Sequence, residues 1–74
     1  MKLREIRVSK FLSMARLARL ADISISTIRD IESGKRTPSL ITCAKLSAAL
    51  GVPAEEIDEC REAMRRMEPA PTTV

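Results

Sequence analysis

Residues 13–38 read SMARLARLADISISTIRDIESGKRTP, and their spacing decides the fold. Ser13 and Ser24 each stand directly before an apolar-periodic run, as helix N-caps do, and the second run closes on Ser33-Gly34, a glycine stop. The stretch therefore predicts two short helices, about Met14 to Leu20 and about Ile25 to Ser33, held across a tight turn. That geometry needs a small residue and then buried aliphatics, supplied here by Ala18, Ile23, Ile28 and Ile31. Two helices so spaced form a helix-turn-helix pattern, whose second helix fits a DNA major groove.

Working outward, three more helices are expected. One covers about Lys2 to Phe11, with Leu3, Ile6 and Lys10 on one side. After the loop Gly34-Lys35-Arg36-Thr37-Pro38, Ser39 is the expected N-cap of a fourth, with Leu40, Ala44, Leu46 and Leu50 at helical intervals before Gly51. A fifth begins near Pro53, with Glu55 and Glu56 at its dipole-positive start and Arg65 and Arg66 at its end. If it runs to about Met67, Ile57, Cys60, Met64 and Met67 form a narrow apolar stripe. The stripe can pack back on the domain's own first helix or against a second subunit. The expected domain is residues 1–67, with 68–74 a flexible tail.

From Leu3 to Ile57 the chain resembles the lambda-repressor-like, XRE-type helix-turn-helix family. The match runs in the order LREIR, LSMARLA, DISISTIRDIE, SGKRTPSL and AKLSAALGVPAEEI. The resemblance implies an all-α, five-helix DNA-binding domain and a transcriptional regulator, most simply a repressor that binds a palindromic operator as a homodimer. It places Ile25, Ser26, Arg29 and Asp30 against base edges. It gives phosphate contacts to Ser13, Met14, Thr27, Lys35, Arg36 and Ser39, and to Arg7 and Glu32 a partly buried ion pair between helices 1 and 3. Three positions depart from the family pattern: Met14 stands where glutamine is common, and Phe11 and Asp22 stand where glycine is common.

The residue types fit these assignments. Arg29 can give two hydrogen bonds to a guanine O6 and N7, worth about 1–3 kcal/mol of discrimination, or it can be a surface arginine held by Asp30. Ile25 cannot hydrogen bond but can pack on a thymine methyl. Asp30 would repel phosphate unless it accepts from a cytosine amine or orients Arg29. The alternative function is a protein-interaction module such as an antitoxin or antirepressor, with a toxin or another regulator as partner and weak or secondary DNA binding. Ile25, Met14 and the apolar stripe point that way.

Charge favours the DNA reading. Residues 1–45 carry ten Lys or Arg against four acids, a net +6, while residues 46–74 carry three against six. A basic half attracts polyanions, though on its own it also serves as a solvated face. With 74 residues, no histidine, no tryptophan or tyrosine and one phenylalanine, the chain lacks general-base histidines and stacking platforms for single strands. An enzyme, a cofactor and a metal are not expected. The opening MKLREIRVSK lacks the apolar core of a signal peptide and no run approaches a membrane span, so a cytoplasmic protein is expected. Cys43 and Cys60 lack CxxC spacing and read as ordinary helix residues in a reducing compartment, with a disulfide or redox switch as the lesser alternative.

Overall fold

The computed structural model describes residues 1–66, and within them the fold is all-α. The helices are α1 (Leu3–Ser9), α2 (Met14–Ala21), α3 (Ile25–Glu32), α4 (Leu40–Leu50) and α5 (Asp58–Arg66), with a single 3-10 turn at Ala54–Glu56 before α5. The expected tail, and Met67 with it, lie outside the described residues.

Local chemistry sets the helix ends. Ser13, Ser24 and Ser39 are N-caps whose hydroxyls accept the N–H of Arg16, Thr27 and Thr42 at 3.0, 3.1 and 3.1 Å. Each cap satisfies one N–H that the first helical turn leaves without a backbone acceptor. Four ends are made by left-handed backbone, Gly34 after α3 among them. Gly51 closes α4 at φ 70°, a conformation glycine adopts without steric cost, but Asp22 closes α2 at φ 59° and Phe11 follows α1 at φ 58°. The two departures from glycine thus keep the backbone shape that glycine would have given. Asp tolerates that shape comparatively well, whereas Phe carries its full strain.

The core is built from Leu3 and Ile6 of α1, Leu17, Ala18 and Ala21 of α2, Ile28 and Ile31 of α3, Cys43, Leu46 and Leu50 of α4, and Ile57, Cys60 and Ala63 at and within α5. Every helix contributes, so α3 is fixed from behind by the whole domain rather than by α2 alone. The start of α5 is also tied to the start of α1. The Asp58 N–H donates to the Met1 carbonyl at 2.8 Å, and the Leu3 N–H donates to the Glu59 carboxylate at 2.9 Å.

Several expectations need correction. The first helix stops at Ser9, leaving Lys10 and Phe11 in the exposed turn after it. Ile23 is half-buried at the core's edge. On α4 the inward face is Cys43, Leu46 and Leu50, while Leu40 and Ala44 are exposed, because a 3.6-residue repeat through Leu46 and Leu50 returns to Cys43 rather than Ala44. The last α-helix starts at Asp58, not near Pro53, since residues 54–56 make only a 3-10 turn. Ile57 and Cys60 are fully buried in this domain's own core, which removes them from any contact with a second subunit. Met64 is partly buried against the same core. Finally, Cys43 and Cys60 are not free thiols: they form a disulfide, with Cα atoms 5.7 Å apart. Sequence spacing gave no sign of it because the pairing is made by α5 folding onto α4.

Candidate nucleic-acid interface

The outward face of α3 follows directly from its inward one. With Ile28 and Ile31 buried, Ile25, Ser26, Arg29 and Ser33 are exposed, and Thr27 and Asp30 are half-exposed at the margins. The four residues expected to face bases therefore share one surface. Ile25, 39% exposed, stands at its N-terminal end. Arg29 makes no ion pair with Asp30 or with any other acid among the described residues, so its guanidinium retains its donors.

The loop after α3 is held beside this face by one carbonyl. The Asp30 oxygen accepts the N–H of Lys35 at 2.9 Å and of Arg36 at 3.2 Å, and also the Ser33 hydroxyl at 3.1 Å. Gly34, at φ 85°, makes the reversal that this wrap requires. Lys35 and Arg36 are thereby exposed at the C-terminal end of α3, with no acid paired to either among the described residues.

The hydroxyls expected to touch phosphate are already engaged. Ser24 Oγ and Thr27 Oγ1 lie 2.8 Å apart, and Ser39 Oγ donates to Thr42 Oγ1 at 3.1 Å while accepting the Thr42 N–H. Anion donors at these sites are then the free N–H groups of the first helical turn more than the cap hydroxyls. Ser13 is less committed, since it accepts from Arg16 but keeps its own proton to donate.

Behind the face, Arg7 and Glu32 form a bidentate pair. Arg7 Nε lies 2.7 Å and Nη2 3.1 Å from the two carboxylate oxygens, and Nη1 donates to the Leu12 carbonyl at 2.8 Å. The side chains are only 10% and 4% exposed. The hydrogen bond to Glu32, reinforced by its charge and opposed by burial, raises the Arg7 pKa further above its ordinary value. One side chain therefore joins α1, the α1–α2 turn and the last turn of α3, which fixes the angle at which α3 is presented.

Sequence reasoning missed Arg4. With Arg29, Met14, Arg7, Glu32 and Ser33 it lines a shallow concavity of about 290 Å³ between α1, the start of α2 and α3. Arg4 precedes Arg7 by three positions on α1, so the helical repeat could have placed it on the same side. This brings Arg4 and Arg29, both without an acidic partner among the described residues, beside Met14 at the head of α2. Among the described residues no helix is long and apolar enough to cross a membrane, and no group of three potential metal ligands occurs.

Comparison with known proteins gives the family. Residues 3–57 match the helix-turn-helix family. Over 57 residues the chain is 46% identical to the uncharacterized HTH-type transcriptional regulator RghRB of Bacillus subtilis (strain 168), a match covering 76% of the chain and 41% of that relative. The chain thus matches less than half the length of this curated relative.

Proposed function

The chain belongs to the helix-turn-helix family, in its XRE-type, lambda-repressor-like form, and from that premise we propose that it is a sequence-specific DNA-binding transcriptional regulator. The observation that carries the reading is the continuous outward surface of α3 and its following loop, where Arg29, Lys35 and Arg36 stand unpaired beside Ser26 and Ile25. In this reading Ser26 and Arg29 give hydrogen bonds to base edges in the major groove, Ile25 packs on a thymine methyl, and Asp30 accepts from a cytosine amine. Ser13, the backbone at Met14, Thr27, Lys35, Arg36 and the Ser39 helix start hold the flanking phosphates and set the register.

The finer reading is a cytoplasmic repressor acting as a homodimer on a palindromic operator, with half-sites about 10 bp apart so that both recognition helices meet one face of the duplex. Pairing makes the second half-site contact effectively intramolecular, which a small interface per subunit requires for tight binding. The reading involves no catalysis.

A second reading is favoured by exposed apolar side chains. Phe11 is 96% exposed and Ile41 72%, and Ile25 heads the recognition helix. Exposed side chains of this kind are available to a protein partner, as in an antitoxin or antirepressor that retains secondary DNA binding.

The test is fluorescence anisotropy with the duplex upstream of the protein's own gene, at two salt concentrations, against scrambled competitor. Binding that survives competitor with two subunits per site supports an operator-specific dimer. Weak binding, equal on scrambled DNA and abolished by salt, supports the protein-partner reading instead.

A further inference from the structure

The Cys43–Cys60 disulfide links the first half of α4 to the first turn of α5 and is 2% and 0% exposed at its two residues. An open groove of about 450 Å³ has Ser33, Gly34, Arg36, Thr37 and Pro38 on one wall and Asp58, Glu59, Glu62 and Arg66 of α5 on another. α5 therefore faces the loop that carries Arg36 across this groove, and the disulfide is the covalent bond that holds α5 to α4.

We infer that Cys43 and Cys60 are a redox-responsive pair whose oxidation locks α5 onto the helix-turn-helix core and so fixes one wall of the groove that Arg36 lines. Two features make the pair a switch rather than a permanent staple. A protein that acts on DNA works in a compartment whose thiol pool keeps disulfides reduced, so the bond forms there only under oxidative load. Both states also pack, since two buried thiols behave as small apolar side chains in the same core.

The co-reactant is a low-molecular-weight disulfide such as glutathione disulfide. One cysteine thiolate attacks a sulfur of that disulfide, forms a mixed disulfide and expels one small thiolate. The second cysteine thiolate then attacks the protein-side sulfur, closes Cys43–Cys60 and expels the other. Two protein thiols are oxidised, one small disulfide is reduced to two thiols, and the two protein protons end on the expelled thiolates. Because both sulfurs lie in the core, exchange requires α5 to lift, so the reaction proceeds at the rate of that local opening.

The disulfide spans 17 residues, a loop whose closure removes substantial freedom from the unfolded chain. In a domain of this size the melting midpoint should fall by about 10–20 °C on reduction. The effect on stability holds for any function of the domain, whereas the switching role and the effect on DNA rest on the regulator reading above. With the α5 wall of the groove beside Arg36 less restrained, affinity for the upstream duplex should drop about three- to ten-fold.

The experiment is to unfold the full chain in reductant, refold it either in dithiothreitol or in glutathione disulfide, count thiols by denaturing alkylation and mass, and measure melting and anisotropy in both states. Expected are two alkylated cysteines and the lower midpoint in dithiothreitol, none and the higher midpoint in glutathione disulfide, and no dependence on redox state in the C43A/C60A variant. Thiols that stay free in glutathione disulfide, or midpoints that coincide, would overturn the inference. So would a variant that still responds to reductant. Midpoints that separate while DNA affinities stay equal would overturn the link to the loop, and binding in neither state would fail the regulator reading while leaving the melting result to decide the pair.

Discussion

Replacing Glu32 with alanine should come close to unfolding the domain, although Glu32 is not among the residues proposed to contact DNA. Its carboxylate takes two hydrogen bonds from Arg7, and both side chains are almost wholly removed from water. Removing one member of such a pair strands the other's charge, at a cost of about 3–5 kcal/mol. A 74-residue domain has a total stability of about 4–11 kcal/mol, so the loss is a large fraction of the whole. At about 4–8 °C per kcal/mol, the melting midpoint should fall by more than about 12 °C. The Leu12 carbonyl would still accept from Arg7, but one neutral acceptor does not neutralise a guanidinium. The assay is urea denaturation followed by circular dichroism on wild type, Glu32→Ala, Arg7→Met and the double variant Arg7→Met/Glu32→Leu. The double variant should recover most of the loss, because an apolar pair strands no charge. A loss below about 1 kcal/mol in Glu32→Ala, or a double variant as unstable as the sum of the singles, would refute the buried-charge reasoning.

Other consequences are open to direct measurement. Arg29→Ala should relax preference at one base pair per half-site, by about 1–3 kcal/mol against the wrong base, whereas Lys35→Ala should weaken all sequences evenly and flatten the salt slope by about 1; competition binding at several salt concentrations separates the two. Phe11→Gly should stabilise the domain by about 0.5–1 kcal/mol in denaturant titration, since it relieves a left-handed backbone strain of about 1–2 kcal/mol, loses almost no burial and pays some chain entropy. The Glu62 carboxyl is held below the ordinary 4.5 by its hydrogen bond to Arg65 and then by the charge of Arg65 and the bond to Arg66. Its small contribution to stability is therefore present above that value and lost as pH falls through the lowered one; NMR titration should show the depressed midpoint, and Arg65→Gln should return it toward 4.5.

Much of this fold is legible from the sequence because short-range rules determine it. Ser13, Ser24 and Ser39 announce three helix starts, and the spacing of Ile28 and Ile31 defines the inward face of α3, hence its outward one. The Arg7–Glu32 pair was reached only through the family resemblance, since 25 residues separate its members and no local pattern joins them. What stayed hidden depends on how α5 returns. The stripe of Ile57, Cys60 and Met64 looks the same in sequence whether it faces a second subunit or the domain itself, and the described structure turns it inward. The disulfide is illegible for the same reason, because only the docking of α5 on α4 brings Cys43 to Cys60. Arg4 escaped notice because its surroundings come from three helices, although its place one turn before Arg7 is written in α1.

The most direct test of the DNA-binding face is a residue-resolved footprint, read from amide shifts of labelled protein titrated with the duplex upstream of its gene. The account predicts that Ser13, Met14, Ile25, Ser26, Arg29, Lys35 and Arg36 shift most, while the solvent side of α5 around Arg61 and Arg65 stays still. Shifts centred on Phe11 and Ile41 instead, or shifts no larger with the upstream duplex than with a scrambled one, would contradict it.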